Sequence, residues 1–403
     1  MFFLKAVYCR IFQTAFRIAL PLLPYREPEI ISSCDEVVRV FEKEKVSSVL
    51  IVTDKGIIDC GLVAPLEEAI KDSSIPYVIY DKTQPNPTVH NVEDALKVYH
   101  ENKCDCIIAI GGGSSMDCAK AVGARVAYPK KPVSKMKGIL KVMRKLPTFI
   151  AIPTTAGTGS EVTLASIITD SEKQHKYAIM SFPLIPHYAV LDAALTYSLP
   201  KCLTSTTGMD ALTHATEAFI GRSTTKETRK YALDAVKLIF ENIETAYEDG
   251  KNHAARENML HAAYKAGISF SKSYVGYIHA VAHSLGGKYG TPHGLANAVI
   301  MPYVLEAYGE KAYKKLHRLG VAAGVCKESD DLKTGAEKYI EAIKELNRKM
   351  NIPEKLKGVK QEDISEMATH AEKEANPLYP VPKLMTKTEL EQFYYQISDR
   401  SNQ

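Results

Sequence analysis

Four patterns are missing from this 403-residue chain, and each absence removes a class of protein. No CxxC pair occurs among its eight cysteines, Cys9, Cys34, Cys60, Cys104, Cys106, Cys118, Cys202 and Cys326, and the chain is too long for a disulfide-dense secreted scaffold. Reduced thiols point to the cytoplasm, and Cys106, opening an apolar run, is expected to be a buried free thiol. No basic cluster exists: the net charge of +4 is spread along the chain, so nucleic acid is not an expected partner. No uninterrupted apolar span exists either, because Lys5, Arg10 and Arg17 break the apolar N-terminus, so neither a signal-peptide core nor a membrane span is expected. Low-complexity runs and internal repeats are absent, and 45% hydrophobic with 24% charged residues is an ordinary globular composition.

The length calls for two domains. An N-terminal extension is expected over residues 1–30, an α/β domain over 31–196 and a helical domain over 197–403. Within the extension, Leu4, Val7, Tyr8, Ile11, Phe12, Ala15, Ile18 and Ala19 form one apolar stripe at helical period, with Arg10, Gln13, Thr14 and Arg17 opposite. Pro21 and Pro24 end the helix. The stripe is expected to pack on the domain or against a second subunit; a membrane surface is the sharper alternative for such a basic amphipathic helix.

From about residue 36, strands at 48–52, 77–80, 106–110 and 148–152 alternate with helical stretches at 62–71, 91–102 and 115–127. This alternation predicts a parallel, Rossmann-like sheet covered on both faces, with ligands at the carboxyl ends of the strands. Three strand ends carry suggestive residues. Asp54, just past the first strand, is placed to bond the ribose hydroxyls of NAD and to repel a 2′-phosphate, which favours NAD(H) over NADP(H). Gly111-Gly112-Gly113-Ser114 follows a strand and opens a helix with Asp117 in it, the kind of turn that offers bare N–H groups to a pyrophosphate. It is not the G-x-G-x-x-G fingerprint. The third, Pro153-Thr154-Thr155-Ala156-Gly157-Thr158-Gly159-Ser160-Glu161, is rich in hydroxyls and small residues. Two such turns in one sheet domain point to a dinucleotide site.

Helical patterns then dominate, near residues 228–245, 254–270 and 334–349. Asp210 and His214 stand four apart on one helix face, as do His279 and His283, with His293 beyond a Gly-rich bend from Gly286 to Pro292. Imidazoles with a carboxylate suit Fe²⁺, Zn²⁺ or another divalent transition metal. Five candidates are one or more too many, and spacing does not say which histidine stands aside.

These motifs in this order, TDKG after the first strand, Pro85-Asn86-Pro87-Thr88, GGGSxxDxAK, PTTAGTGSE, GMDALTHAxE and GYIHAVAHSLGGxYGTPHGLAN, resemble the iron-containing (group III) alcohol dehydrogenases across roughly residues 46–396. The resemblance implies a dinucleotide-binding α/β domain followed by an all-helical metal-binding domain; the four intact Asp/His positions argue against the rivals, a glycerol-dehydrogenase-like or dehydroquinate-synthase-like enzyme and a non-catalytic sensor. It implies metal ligation by Asp210, His214, His279 and His293, with His283 beside nicotinamide and substrate as a proton relay. It carries Asp54, Gly111, Gly112, Gly113, Ser114, Asp117, Thr154, Thr155 and Thr158 over as cofactor contacts. The implied reaction is reversible hydride transfer between a primary alcohol and NAD(H), with a polyol as the alternative substrate and a homodimer or higher homo-oligomer as the assembly. Leu164, Ala165, Phe270, Tyr274 and Tyr277 read as an apolar lining that favours simple aliphatic alcohols. The chain departs from the resemblance at Ile30–Asp35, where relatives carry a Gly-containing turn, and in its longer N-terminal helix.

Overall fold

The computed structural model describes residues 2–170 and 175–399. The chain forms two compact units, Pro24–Leu199, and Met1–Leu23 together with Pro200–Gln403. In order, its elements begin α1 (Phe2–Ala19), β1 (Glu29–Ile31), α2 (Val37–Glu44), β2 (Val49–Val52), α3 (Lys55–Asp59), α4 (Ala64–Ser73), β3 (Tyr77–Tyr80), α5 (Val89–Glu101), β4 (Cys106–Gly111) and α6 (Gly113–Ala127). Next come β5 (Gly138–Ile139), β6 (Thr148–Pro153), β7 (Ala165–Asp170), β8 (His175–Met180) and β9 (Tyr188–Val190). The remainder is helical: α7 (Lys201–Ile220), α8 (Lys226–Glu248), α9 (His253–Ser273), α10 (Tyr277–Tyr289), α11 (His293–Tyr308), α12 (Tyr313–Ala322), α13 (Leu332–Lys349), α14 (Ile364–Ala375) and α15 (Lys387–Ile397).

Six strands make one parallel sheet in the order β1-β9-β6-β4-β2-β3. Its central strands are apolar at every position because both faces are covered, and the two-residue period divides them between two cores. Leu50, Val52, Ile107 and Ala109 face one core with Val92, Leu96, Met116 and Val122 of α5 and α6. Val49, Ile51, Ile108 and Ile110 face the other with Val37, Phe41, Leu66 and Ile70 of α2 and α4. From β2 the chain moves outward to β3, then crosses back to place β4 on the other side of β2. That reversal is the switch point at which open α/β sheets hold ligands, and the carboxyl ends of β2 and β4 flank it. A small sheet, β5-β8-β7, accompanies the main one and was not expected from the sequence; β7 and β8 pair antiparallel.

One titratable group ties the pH response of this unit to its packing. His187 Nδ1 accepts the N–H of Phe149 at 3.1 Å, just before β9, at the start of β6. Burial, then the nearby Arg26 and Lys145, pushes its pKa from 6.5 down to about 4. The folded state therefore refuses a proton that the unfolded chain accepts. The corresponding stability is complete above the unfolded pKa and is lost as pH falls from about 6.5 toward 4, by up to roughly 3 kcal/mol. Urea unfolding at pH 7 and pH 4.5 should show this loss, and His187→Gln, which keeps an acceptor but does not titrate, should flatten it.

Residues 1–30 do not stand apart as one extension. Helix α1 belongs to the helical unit, whereas residues 24–31 belong to the α/β unit, where β1 pairs with β9. The apolar stripe does not pack on its own domain, one of the two places expected for it: Leu4, Val7, Tyr8, Ile11, Phe12 and Ile18 are exposed. Helix α1 packs through its polar side: Gln13, 3% exposed, donates to the carbonyls of Tyr379 and Pro377, and Arg10 donates to those of Val381 and Pro382. Those carbonyls lie in an irregular segment after α14, so hydrogen bonds hold this side of the helix, with Cys9 and Phe16 packing beside them. Among the described residues no helix is long and apolar enough to cross a membrane.

Candidate active site

In the α/β unit, Asp54 sits where the sequence places it, past β2 at the switch point. Its Oδ1 accepts the N–H of Ile57, capping α3, and its Oδ2 accepts the hydroxyl of Ser115 at 3.3 Å. Gly111 closes β4 with φ +145, and an added Cβ would meet Ser115 Oγ at 2.6 Å, so both conformation and space require glycine. The helix that follows starts on bare backbone. Gly112 is the N-cap of α6 and offers no side-chain cap, while Ser114 lies inside the first turn and accepts from the Asn86 N–H at 3.3 Å. The first N–H groups of a fifteen-residue helix are thereby left for an anion.

The second turn comes to the first. Thr154 N–H donates to the Gly111 carbonyl at 3.0 Å, Thr155 lies beside Gly112, and Thr158 Cγ2 lies 3.2 Å from where a Gly113 Cβ would be. Behind this pair of turns Lys120 is fully buried and donates to Ser160 Oγ, the carbonyl and hydroxyl of Thr163 and the Ala165 carbonyl. Asp117 accepts from Ser160 Oγ and the Ile167 N–H, with burial raising its pKa to about 6 against the pull of Lys120. Asp117 and Lys120 thus hold the second turn in shape.

In the helical unit, the structure brings Asp210, His214, His279 and His293 together: one ligand atom from each lies within 4.8 Å of the others. Asp210 and His214 come from one face of α7, and His279 from α10. His293 is the first residue of α11. The bend that delivers it is shorter than expected. Gly286 and Gly287 remain inside α10, and Gly290 alone, left-handed at φ 68, ends that helix before Pro292 caps the next. Asp210 Oδ1 lies 3.3 Å from His293 Nε2, and the His214 and His279 rings stack at 4.6 Å, His214 being backed by Phe270 at 4.1 Å.

The cluster fits a divalent metal. His279 Nε2 is buried with no hydrogen-bond partner, a costly arrangement for a lone pair unless a cation meets it. Its Nδ1 is 2.6 Å from Glu217 Oε2, which places the proton there and leaves Nε2 as the donor. Burial first, then the surrounding histidines, drives the His279 pKa well down, and burial brings His293 to about 4. Neutral imidazoles are what metal binding requires.

Glu217 and Asn297 were missed by sequence reasoning. Glu217, two turns after Asp210 on α7, accepts the N–H groups of Gly276 and Ile278 as well as His279. A Cβ on Gly276 would meet Glu217 Oε1 at 2.6 Å. Asn297, one turn after His293, donates to Asp210 Oδ1 at 2.7 Å and lies 3.1 Å from His293 Nε2. Both spacings were visible; the residue types alone are too common on helices to stand out.

His283 does not join the four. Its ring is 5.1 Å from that of His293, and its Nδ1 lies 2.6 Å from Glu374 Oε1, which also accepts from the Tyr379 hydroxyl. Partial burial opposes a charge on His283, but Glu374 outweighs it and the net shift is upward. Tyr277, read as an apolar lining residue, is instead fully buried, its hydroxyl accepting from Met385 N–H. Tyr274 packs edge-on against Phe16 of α1.

Two family models divide the chain: iron-containing alcohol dehydrogenase over residues 30–193, and the C-terminal region of the Fe-containing alcohol dehydrogenase family over residues 204–398. The chain belongs to the iron-containing alcohol dehydrogenase family. Alcohol dehydrogenase 4 of Saccharomyces cerevisiae is 40% identical over 341 residues, 84% of this chain and 87% of that protein. The 1,3-propanediol dehydrogenase of Klebsiella pneumoniae is 37% identical over 369 residues, 90% and 93% of the two chains. A solved 1,3-propanediol oxidoreductase superposes with a TM-score of 0.89 at 34% identity, covering 93% of this chain and 99% of that one. This member of the family is accordingly an oxidoreductase of the alcohol–aldehyde class.

Proposed function

We propose that the protein is a metal-dependent, NAD-linked dehydrogenase that interconverts a primary alcohol and its aldehyde, with Asp210, His214, His279 and His293 as the metal ligands. The observation that carries this reading is the four-ligand cluster, buried at all but His293, in which the partnerless His279 Nε2 is aimed by Glu217. A divalent ion there supplies Lewis acidity toward an alcohol or carbonyl oxygen, and nicotinamide supplies the hydride chemistry. The residues do the rest. Glu217 fixes the His279 tautomer, Asn297 orients Asp210 beside His293, and His283 relays the proton, its Nδ1–H held by Glu374. The glycine turn and the N-terminus of α6 receive the cofactor's phosphates, with Thr154, Thr155 and Thr158 in the adjoining turn.

Asp54 supports NAD over NADP, since a carboxylate beside a 2′-phosphate is a like-charge contact. Asp54→Ser should raise the NADP-to-NAD ratio of kcat/KM by about tenfold or more, measured with both cofactors on one aldehyde. A diol substrate is the second reading, carried by the printed activity of the Klebsiella relative. NADH oxidation over a panel of short aldehydes, with 1,3-propanediol in the reverse direction, tests both. The chelated protein should be inactive, and Fe²⁺ or Zn²⁺ should restore turnover. Free cysteines, five of them buried, support a cytoplasmic setting. The unpaired outer edge of β1, with Ile30 exposed beside it, supports a homodimer.

A further inference from the structure

Half of the large hydrophobic side chains that stand exposed among the described residues lie in one short segment, residues 4–22. Leu4, Ile11, Ile18 and Leu22 are 74%, 64%, 71% and 84% exposed. They follow from the inverted docking of α1, which spends Arg10 and Gln13 on backbone carbonyls and turns the apolar stripe outward. An apolar groove of roughly 750 Å³ runs along the same helix, lined by Val7, Ile11, Ile18 and Leu384 among others. A patch of this kind on a monomeric surface marks an interaction site.

Charge indicates the occupant. No acidic residue occurs before Glu27, whereas Lys5, Arg10, Arg17 and Arg26 do. Lys5 is paired with Glu372 at 2.7 Å, so the N-terminal end of the helix is neutralised. The other end is not. Ser223 Oγ donates to the Gln13 carbonyl, which sets the loop after α7 against α1 and brings Arg222 beside it. Lys315 donates to the Ile220 carbonyl at 3.0 Å and to that of Gly221, and Arg318 lies over the Phe219 ring at 5.3 Å. The charged neighbours that act most on Lys315 are cations: Arg229, Arg17, Arg222 and Arg318. Arg17, Arg222 and Arg318 are exposed. An apolar helix face bordered by clustered cations is the pattern that rests in a lipid interface, acyl chains meeting the stripe and anionic headgroups the arginines. A second copy placed with its two-fold axis at this cluster would set these cations against themselves.

We propose that the face formed by α1 and the Arg17, Arg222, Lys315 and Arg318 cluster docks on an anionic lipid surface, holding the enzyme peripherally without crossing it. The inference is independent of the substrate and metal readings. Co-sedimentation of the full chain tests it, with vesicles of phosphatidylcholine alone and of equal parts phosphatidylcholine and phosphatidylglycerol. Binding to the anionic vesicles only is expected, weakening with salt and falling about fivefold for each of Arg17→Gln and Arg318→Gln. The double variant Ile11→Glu, Ile18→Glu should abolish binding while leaving aldehyde reduction unchanged, which also shows that it folds. Failure to bind either vesicle, or equal binding to both, overturns the proposal. So does a double variant that binds like the parent. Light scattering in which that variant alone dissociates would assign the stripe to a second copy and overturn it as well.

Discussion

His279→Ala removes both metal retention and turnover. The imidazole contributes a buried nitrogen with no protein partner, and nothing near it can substitute: His283 is engaged with Glu374, and Asn297 already serves Asp210 and His293. Loss of a group that merely orients a ligand costs about 10–100-fold in metal affinity or activity, so loss of the ligand itself should exceed that range. The vacated space also leaves Glu217 without its shortest contact, so thermal unfolding should be run alongside. The expected pattern is a folded protein with substoichiometric metal by elemental analysis and no measurable NADH oxidation. Full metal occupancy in a folded His279→Ala protein would remove this residue from the ligand set.

Glu217→Gln is expected to act on both stability and the metal. Glu217 is fully buried and accepts three donors, the N–H groups of Gly276 at 2.7 Å and Ile278 at 2.8 Å and the Nδ1 of His279 at 2.6 Å. Burial raises its pKa to about 7, with those same donors pulling the other way. Glutamine has one oxygen and an NH2 group, so at least one N–H must face another donor in the interior. An unsatisfied buried pair of this kind costs about 1–3 kcal/mol. The same change frees the His279 ring to rotate or switch tautomer, and metal affinity should fall about 10–100-fold. Denaturant titration and a competitive metal titration measure the two effects separately. A variant that loses stability but keeps its metal affinity would limit Glu217 to a structural tie between α7 and the start of α10.

The sheet was legible because buried parallel strands advertise themselves. Val49–Val52 and Cys106–Gly111 are apolar throughout, and the glycines and hydroxyl residues follow directly at their carboxyl ends. The i,i+4 pairs Asp210/His214 and His279/His283 likewise announced two shared helix faces. Periodicity did not reveal which partners those faces meet, so the division of labour between His279 and His283 came only from the resemblance. Helix α1 shows the limit most clearly. Its apolar stripe was read correctly but does not pack on its own domain, because Arg10 and Gln13 are held by carbonyls more than 360 positions later in the chain. The strands of the small sheet were missed for a simpler reason: β7 and β8 are as long as β4 but mix polar residues among the apolar ones, ASIITD and HKYAIM, and β5 has only two residues.

The central claim is that one divalent metal is held by Asp210, His214, His279 and His293. X-ray absorption spectroscopy of the iron- or zinc-loaded protein tests it most directly. The predicted spectrum has one metal per chain in a shell of nitrogen and oxygen donors, with the outer-shell scattering of three imidazoles. A sulfur shell, or a spectrum without imidazole scattering, would contradict it.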